Sequence, residues 1–263
     1  MTQNKHKVFI SCDLGDAYGN YACGPDEELL PLIDIANVAC GFHAGDPLVM
    51  ARTVALCKAN NIKVGAHAGL PDVQGFGRRE MKLSNEEHTA NIVYQVGALK
   101  AFLEREGLEL HHVKPHGVLY SMMTRDIEVA RAVCAGVPKG TPMFGLAGTL
   151  MEFAAMEAGL EFWAEYYGDI KYRRDGSLMH DRKRAAWKAE DVKSHVRQQV
   201  HEQAGTTDTG HLVFLPVKNY HVSVCCQSDS PGCLEIVKAA KEVVDEFNKS
   251  RGPEAPDNAE GCK

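Results

Sequence analysis

Three short words place a histidine beside a glycine at the end of an apolar run: "GFHAGD" around His43, "GAHAGL" around His67 and "KPHGVL" around His116. Imidazole titrates near neutral pH, so such residues serve as general acid, general base or metal ligand. A single one reads as a turn or core residue. Three at equivalent places read as a converging set. Glycine at each lets the chain turn sharply or a ligand come close. Carboxylates stand nearby: Asp13 and Asp16 in "SCDLGD", then Asp46, Asp72, Glu165, Asp169 and Asp229. Any one of them can be a cap or turn residue, and Asp46 and Asp229 are read as helix caps. Lys114 precedes His116 by two residues. A lysine there needs carboxylate partners, or its pKa falls. "QGFGRRE" supplies Arg78 and Arg79, either on a surface loop or as a bidentate clamp for a carboxylate. Cys40, beside His43, is a possible nucleophile, although a free cysteine on an apolar run is commonly core.

Several chemistries are excluded. There is no GxxxxGK[ST], no GxGxxG after a strand, no HExxH, no GxSxG and no zinc-type Cys/His spacing. A divalent metal held by His and Asp from separate strands stays open, with Asp13, His43, His67 and His116 as candidates. The formal charge of -6 gives no support to a nucleic-acid partner. No run is apolar enough to span a membrane, and the N-terminus has no signal-peptide pattern. Nine scattered cysteines without a CxxC fit a reducing compartment, so a cytoplasmic protein is expected.

These residues need a scaffold that gathers them. Apolar runs alternate with helical patterns along the chain. Strands are expected at 8–12, 33–39, 62–65, 110–114, 143–146, 161–165 and 222–226. Helices are expected at 47–60, 85–106, 127–135, 149–158, 189–203 and 231–248. Asp46-Pro47 is a cap and first-turn pair, and Ser84 with Glu87 forms a capping box. Repeated strand–helix units predict parallel strands with helical crossovers. Polar residues gather after several different strands, which favours a closed barrel over a doubly wound sheet. One α/β domain over residues 1–248 is expected, followed by a disordered tail at 249–263, which is rich in proline, glycine and charge.

"CDLGD", "ANVACGFHAGDP", "GAHAGLPDVQGFGRREM", "YQVGALKAFL" and "VKPHGVLY" resemble the LamB/YcsF family in the same order, from about Val8 to Phe247. The resemblance implies a distorted seven-stranded β/α barrel of the glycoside hydrolase and deacetylase type. It also implies ATP-coupled opening of the 5-oxoproline lactam to glutamate. ATP would be handled with partner subunits, allophanate-hydrolase-like in kind. Asp13, Asn37, His43, Asp46, His67, Asp72, Arg78, Lys114, His116 and Glu165 match the family's motifs. Asp16 stands where Glu is usual.

From the matched set, Asp13, His43, Lys114, His116 and Glu165 are assigned to catalysis. Asn37, His67, Asp72, Arg78, Asp169 and Gln227 are assigned to substrate binding. His43 or His116 would act as acid or base, Lys114 would stabilise an oxyanion or an acyl-phosphate-like intermediate, and Arg78 would hold a carboxylate. Asp13 and Glu165 would orient these groups or bind a metal. Ser11, Ala68, Leu70, Ile170, Arg184, Ala185 and Gln227 depart from the usual words. Ile170 and Gln227 replace an arginine and a histidine, and both are read as lying on one wall of the mouth. The substrate is then a lactam or other cyclic amide, not necessarily 5-oxoproline. Two rival readings remain: a metal-dependent carbohydrate deacetylase, and a non-catalytic subunit that binds a small acid.

Overall fold

In a computed structural model, which describes residues 7–179, 185–217 and 220–251, seven parallel strands close into a barrel. They are β1 (Val8–Leu14), β2 (Ile35–Ala39), β3 (Lys63–Ala68), β4 (Val113–Pro115), β5 (Met143–Gly145), β6 (Phe162–Tyr167) and β9 (Val222–Cys226). β9 pairs with both β6 and β1 and closes the ring. The expected barrel is therefore the observed one.

Period two sets the interior in layers. Ile35, Phe144 and Trp163 form an apolar floor with Phe9 packed against it. Above it Ser223 donates to Ser11 at 2.6 Å. Register then places Asp13 beside Asn37, and His67 beside Lys114. The Asp13–Lys114 layer thus lies at the end away from these rings; at the ring end His111 and His221 pack on Trp163.

The outer layer is helical. It comprises α1 (Asp26–Leu29), α2 (Pro47–Ala59), α3 (Asn85–Glu106), α4 (Gly117–Arg125), α5 (Ile127–Ala135), α6 (Leu150–Glu157), α7 (Ala189–Glu202) and α8 (Cys233–Arg251). Asp46 caps α2 through the amides of Leu48 and Val49, and the Ser84–Glu87 capping box opens α3.

Several expectations change. Helix α4 was not anticipated; its glycine start, with Gly117 at φ +57, disguises a helix that Asp126 alone separates from α5. β7 (Ala204–Thr206) and β8 (Leu212–Phe214) form a small antiparallel pair, each too short to show alternation. β3 runs on to Ala68, so His67 sits on the strand and not after it. α8 starts at Cys233, so Asp229 is not its cap. α8 also runs on to Arg251, into the start of the tail expected at 249–263. Residues 252–263, and Arg184, lie outside the described residues.

Candidate active site

Asp13 is the hub of the polar end. Its Oδ1 accepts from Asn37 Nδ2 at 2.9 Å and from Lys114 Nζ at 3.0 Å. Its Oδ2 lies 3.3 Å from His67 Nε2. Burial alone would raise this acid, but His67 and Lys114 hold its pKa well below the usual carboxylate range. Burial likewise pushes Lys114 down, yet the negative charge of Asp13 outweighs it and the lysine stands above its ordinary pKa. Lys114 is therefore a fixed cation and not a base.

Support extends outward. His112 Nε2 donates to Asn37 Oδ1 at 2.7 Å, which aims the amide nitrogen at Asp13. Gly65 makes this possible, because a Cβ there would sit 2.1 Å from the His112 ring. Glu165 faces the same space. Tyr167 donates to one of its oxygens at 3.3 Å, and the other has no hydrogen-bond partner. Burial raises Glu165 to about 7, against the pull of Lys114.

The three histidines meet, as their matching words suggest. His116 and His67 approach at 2.8 Å between Nδ1 and Nε2. His43 stacks on His116 with ring centres 3.6 Å apart and planes 3° from parallel. One ring nitrogen from each of His43, His67 and His116 lies within 4.8 Å of the others, close enough for the three to hold a metal ion. Burial lowers His43 and takes His116 well below its ordinary value. Both nitrogens of His43 lack a hydrogen-bond partner, with Asp16 the nearest carboxylate at 3.6 Å.

A narrow cavity of about 20 Å³ reaches this group, lined among others by Lys114, Arg78, Tyr120, Tyr167 and Gln227. It has room for a water but not for a ring. Arg78 lies beside it and bonds Asp229 at 2.7 Å, so the residue read as a cap is an ion-pair partner. Asp72 does not line the cavity; it binds Arg79 and the amide of Gly75, holding the loop that carries Arg78. Asp169 and Ile170 line a different cavity with Trp187 and His195, so Ile170 and Gln227 do not share one wall. The Cys40 thiol donates to the Val38 carbonyl and burial pushes its pKa up to about 12, which leaves no thiolate nucleophile at neutral pH. Tyr120 and Tyr167 were missed. Tyr120 follows His116 by four residues, one helical turn, a signal that needed α4 to be recognised.

The LamB/YcsF family model matches residues 8–255. The chain belongs to the LamB/YcsF family. It is 65% identical over 252 residues to the lactam utilization protein lamB of Emericella nidulans, covering 96% of this chain and 100% of that one. It is 41% identical to a 5-oxoprolinase subunit of Clostridium beijerinckii, covering 92% and 96%. The crystal structure of the lactam utilization protein from Thermus thermophilus superposes with a TM-score of 0.82 at 40% identity, covering 91% and 96%.

Proposed function

We propose that this chain opens the amide bond of a small lactam at the polar end of the barrel. The names of its relatives point to lactams and to 5-oxoproline. One observation carries the chemistry: a buried carboxyl group with a pKa of about 7, Glu165, near a lysine held permanently charged by Asp13. A resonance-stabilised amide needs its carbonyl polarised, a nucleophile delivered and its nitrogen protonated. Lys114 stabilises charge on the carbonyl oxygen. Glu165 exists in both protonation states near neutral pH, so it can take a proton from water and return it to the ring nitrogen. This proton work falls to Glu165 because both nitrogens of His116 are engaged, with His67 and with the Phe76 carbonyl. Tyr120 and Tyr167 flank Glu165 and orient it.

Arg78 supplies recognition. Entry of a ring requires the rim to move, and the Arg78–Asp229 pair is the contact to break. A substrate carboxylate would then replace Asp229 on the guanidinium. Gln227 offers an amide to the same space. Asn37 acts on substrate only through Asp13, His67 lines the cavity beside it, and Asp72 positions the Arg78 loop.

The Clostridium beijerinckii relative is named as one subunit of a 5-oxoprolinase, which carries the idea of partner subunits. We extend it here: allophanate-hydrolase-like partners supply the ATP step that drives an unfavourable ring opening, and the barrel performs the hydrolytic part. Purified chain is incubated with 5-oxoproline and related lactams, with and without ATP and such partners, and ring-opened acid is counted. Ring opening of at least one lactam is expected. No opening of any, in any combination, refutes the reading. The three converging histidines keep one rival in view, metal-dependent deacetylation, so an acetylated sugar is included; acetate release without lactam opening would favour it.

A further inference from the structure

Two glutamines on different helices make the same set of contacts. Gln199 on α7 and Gln95 on α3 are wholly buried. Gln199 Oε1 accepts from the Tyr167 amide at 3.1 Å, and its Nε2 donates to the Tyr167 carbonyl at 2.9 Å. Gln95 does the same to Gly69, with both contacts at 2.9 Å. Each Nε2 also donates to the carbonyl one turn back on its own helix, His195 at 3.2 Å and Asn91 at 3.0 Å. A peptide N–H only donates and a carbonyl only accepts, so each side-chain amide fits only one way round.

The cause lies in the strand lengths. The N–H and C=O of one strand residue face the same neighbour, and those of the next residue face the other. Along the β6 line, Ala164 and Gly168 bond towards β9, while Glu161 bonds towards β5. Tyr167 therefore faces the β5 side, but β5 ends at Gly145, opposite Ala164. Along the β3 line, Ala66 and Ala68 bond towards β4, while Lys63 bonds towards β2. Gly69 therefore faces the β2 side, past the end of β2 at Ala39. Each tip would leave a buried peptide unpaired. The glutamine amide has the donor and acceptor of a peptide, and it stands in for the missing strand residue.

Both tips carry parts of the site. Tyr167 donates its hydroxyl to Glu165 at 3.3 Å. Tyr172 tightens that clamp, donating to Gln199 Oε1 at 2.8 Å and accepting from the Tyr167 amide at 3.2 Å. Gly69 lies against His43, and a Cβ there would come 2.6 Å from His43 Nδ1.

We propose that Gln199 and Gln95 are positioning residues: Gln199 fixes Tyr167 beside Glu165, and Gln95 fixes Gly69 against the His43–His116 stack. Both act through the backbone of a strand tip and neither touches the reacting atoms. Their effect on turnover rests on the lactam-opening reading, while their effect on geometry does not.

The test uses the full chain with Gln199→Met and Gln95→Met, which keep the length of the side chain and remove its amide. In native protein, hydrogen exchange at the Tyr167 and Gly69 amides should be as slow as at Ala164 and Ala66, which bond within the barrel. This comparison needs no variant to fold, and exchange at both tips as fast as in an exposed loop overturns the clamps. Gln199→Met should speed exchange at Tyr167 by about tenfold over any change at Gly69, and Gln95→Met the reverse. Equal acceleration at both tips in both variants means general destabilisation and overturns the assignment. Crystal structures should show the Tyr167 hydroxyl drawn off Glu165 in Gln199→Met and the His43 ring shifted in Gln95→Met; unmoved groups overturn the positioning role. In lactam turnover, Gln199→Met should lower kcat by about a hundredfold with KM little changed, the cost of a misplaced acid–base group. Native kcat in that variant refutes this inference alone. No ring opening by native chain refutes the proposed function alone, and exchange and crystal structures still decide the role of the glutamines.

Discussion

Glu165→Gln removes one ionisable group and keeps its shape. The native carboxyl is buried, and burial lifts its pKa from 4.5 to about 7. An acid with a raised folded pKa binds its proton more tightly in the folded state. Its stabilising contribution is complete below the unfolded value and is lost as pH rises through the folded one. At about 1.36 kcal/mol per pH unit, the displacement from 4.5 to about 7 is worth about 3 kcal/mol. Native protein should therefore lose about that much stability between about pH 5 and pH 9 from this group, and Glu165→Gln should not. Urea unfolding of chelator-treated protein across that range measures both, with no bound cation adding to the field. In turnover, the same substitution should lower kcat by about 10²–10⁴-fold and abolish the limb near pH 7. Identical stability slopes for the two proteins would refute the claim that Glu165 is forced towards neutrality. An unchanged pH–rate profile would remove it from proton transfer.

Other perturbations follow from the same contacts. Lys114→Met leaves Asp13 buried beside one fewer cation, and should cost about 3–5 kcal/mol in denaturant unfolding as well as most of the activity. Gly65→Ala should destabilise by about 2 kcal/mol or more, because its Cβ would meet the His112 ring at 2.1 Å and that ring aims Asn37 at Asp13. A crystal structure of that variant should show His112 displaced. Arg78→Lys should raise KM more than it lowers kcat, since the planar fork binds carboxylate and a point charge does so less well. A fall in kcat alone would place Arg78 in the chemistry instead of in recognition.

Much of this architecture was legible in the residues. Seven apolar runs gave seven barrel strands, because parallel strands covered by helices must be apolar on both faces. Asp46 and Ser84 marked helix starts through side-chain chemistry that acts locally. The histidine words indicated convergence because β3 and β4 bring His67 and His116 to one rim. What escaped depended on contacts distant in sequence. Asp229 has the pattern of a cap, yet Arg78 claims it from 151 residues away. Asp72 sits in the most distinctive motif and serves the loop, because Arg79 folds back on it. Ile170 looked like a neighbour of Gln227, but the chain leaves the barrel after β6 and turns it to another cavity. Tyr120 was invisible without α4, and the short β7 and β8 carry too few residues for a period to show.

Everything proposed for the reaction rests on the Lys114–Glu165 end of the barrel opening a lactam. Mass spectrometry can follow 5-oxoproline and a panel of lactams with native chain, Lys114→Met and Glu165→Gln. Each protein is checked for native fold and assayed alone and with ATP and partner subunits. Native protein should yield ring-opened acid, and either variant at least a hundredfold less, roughly the loss of a positioned acid–base or oxyanion group. Full turnover by both folded variants in the assembled system would mean that the chemistry happens elsewhere, and the assignment of this site would fall.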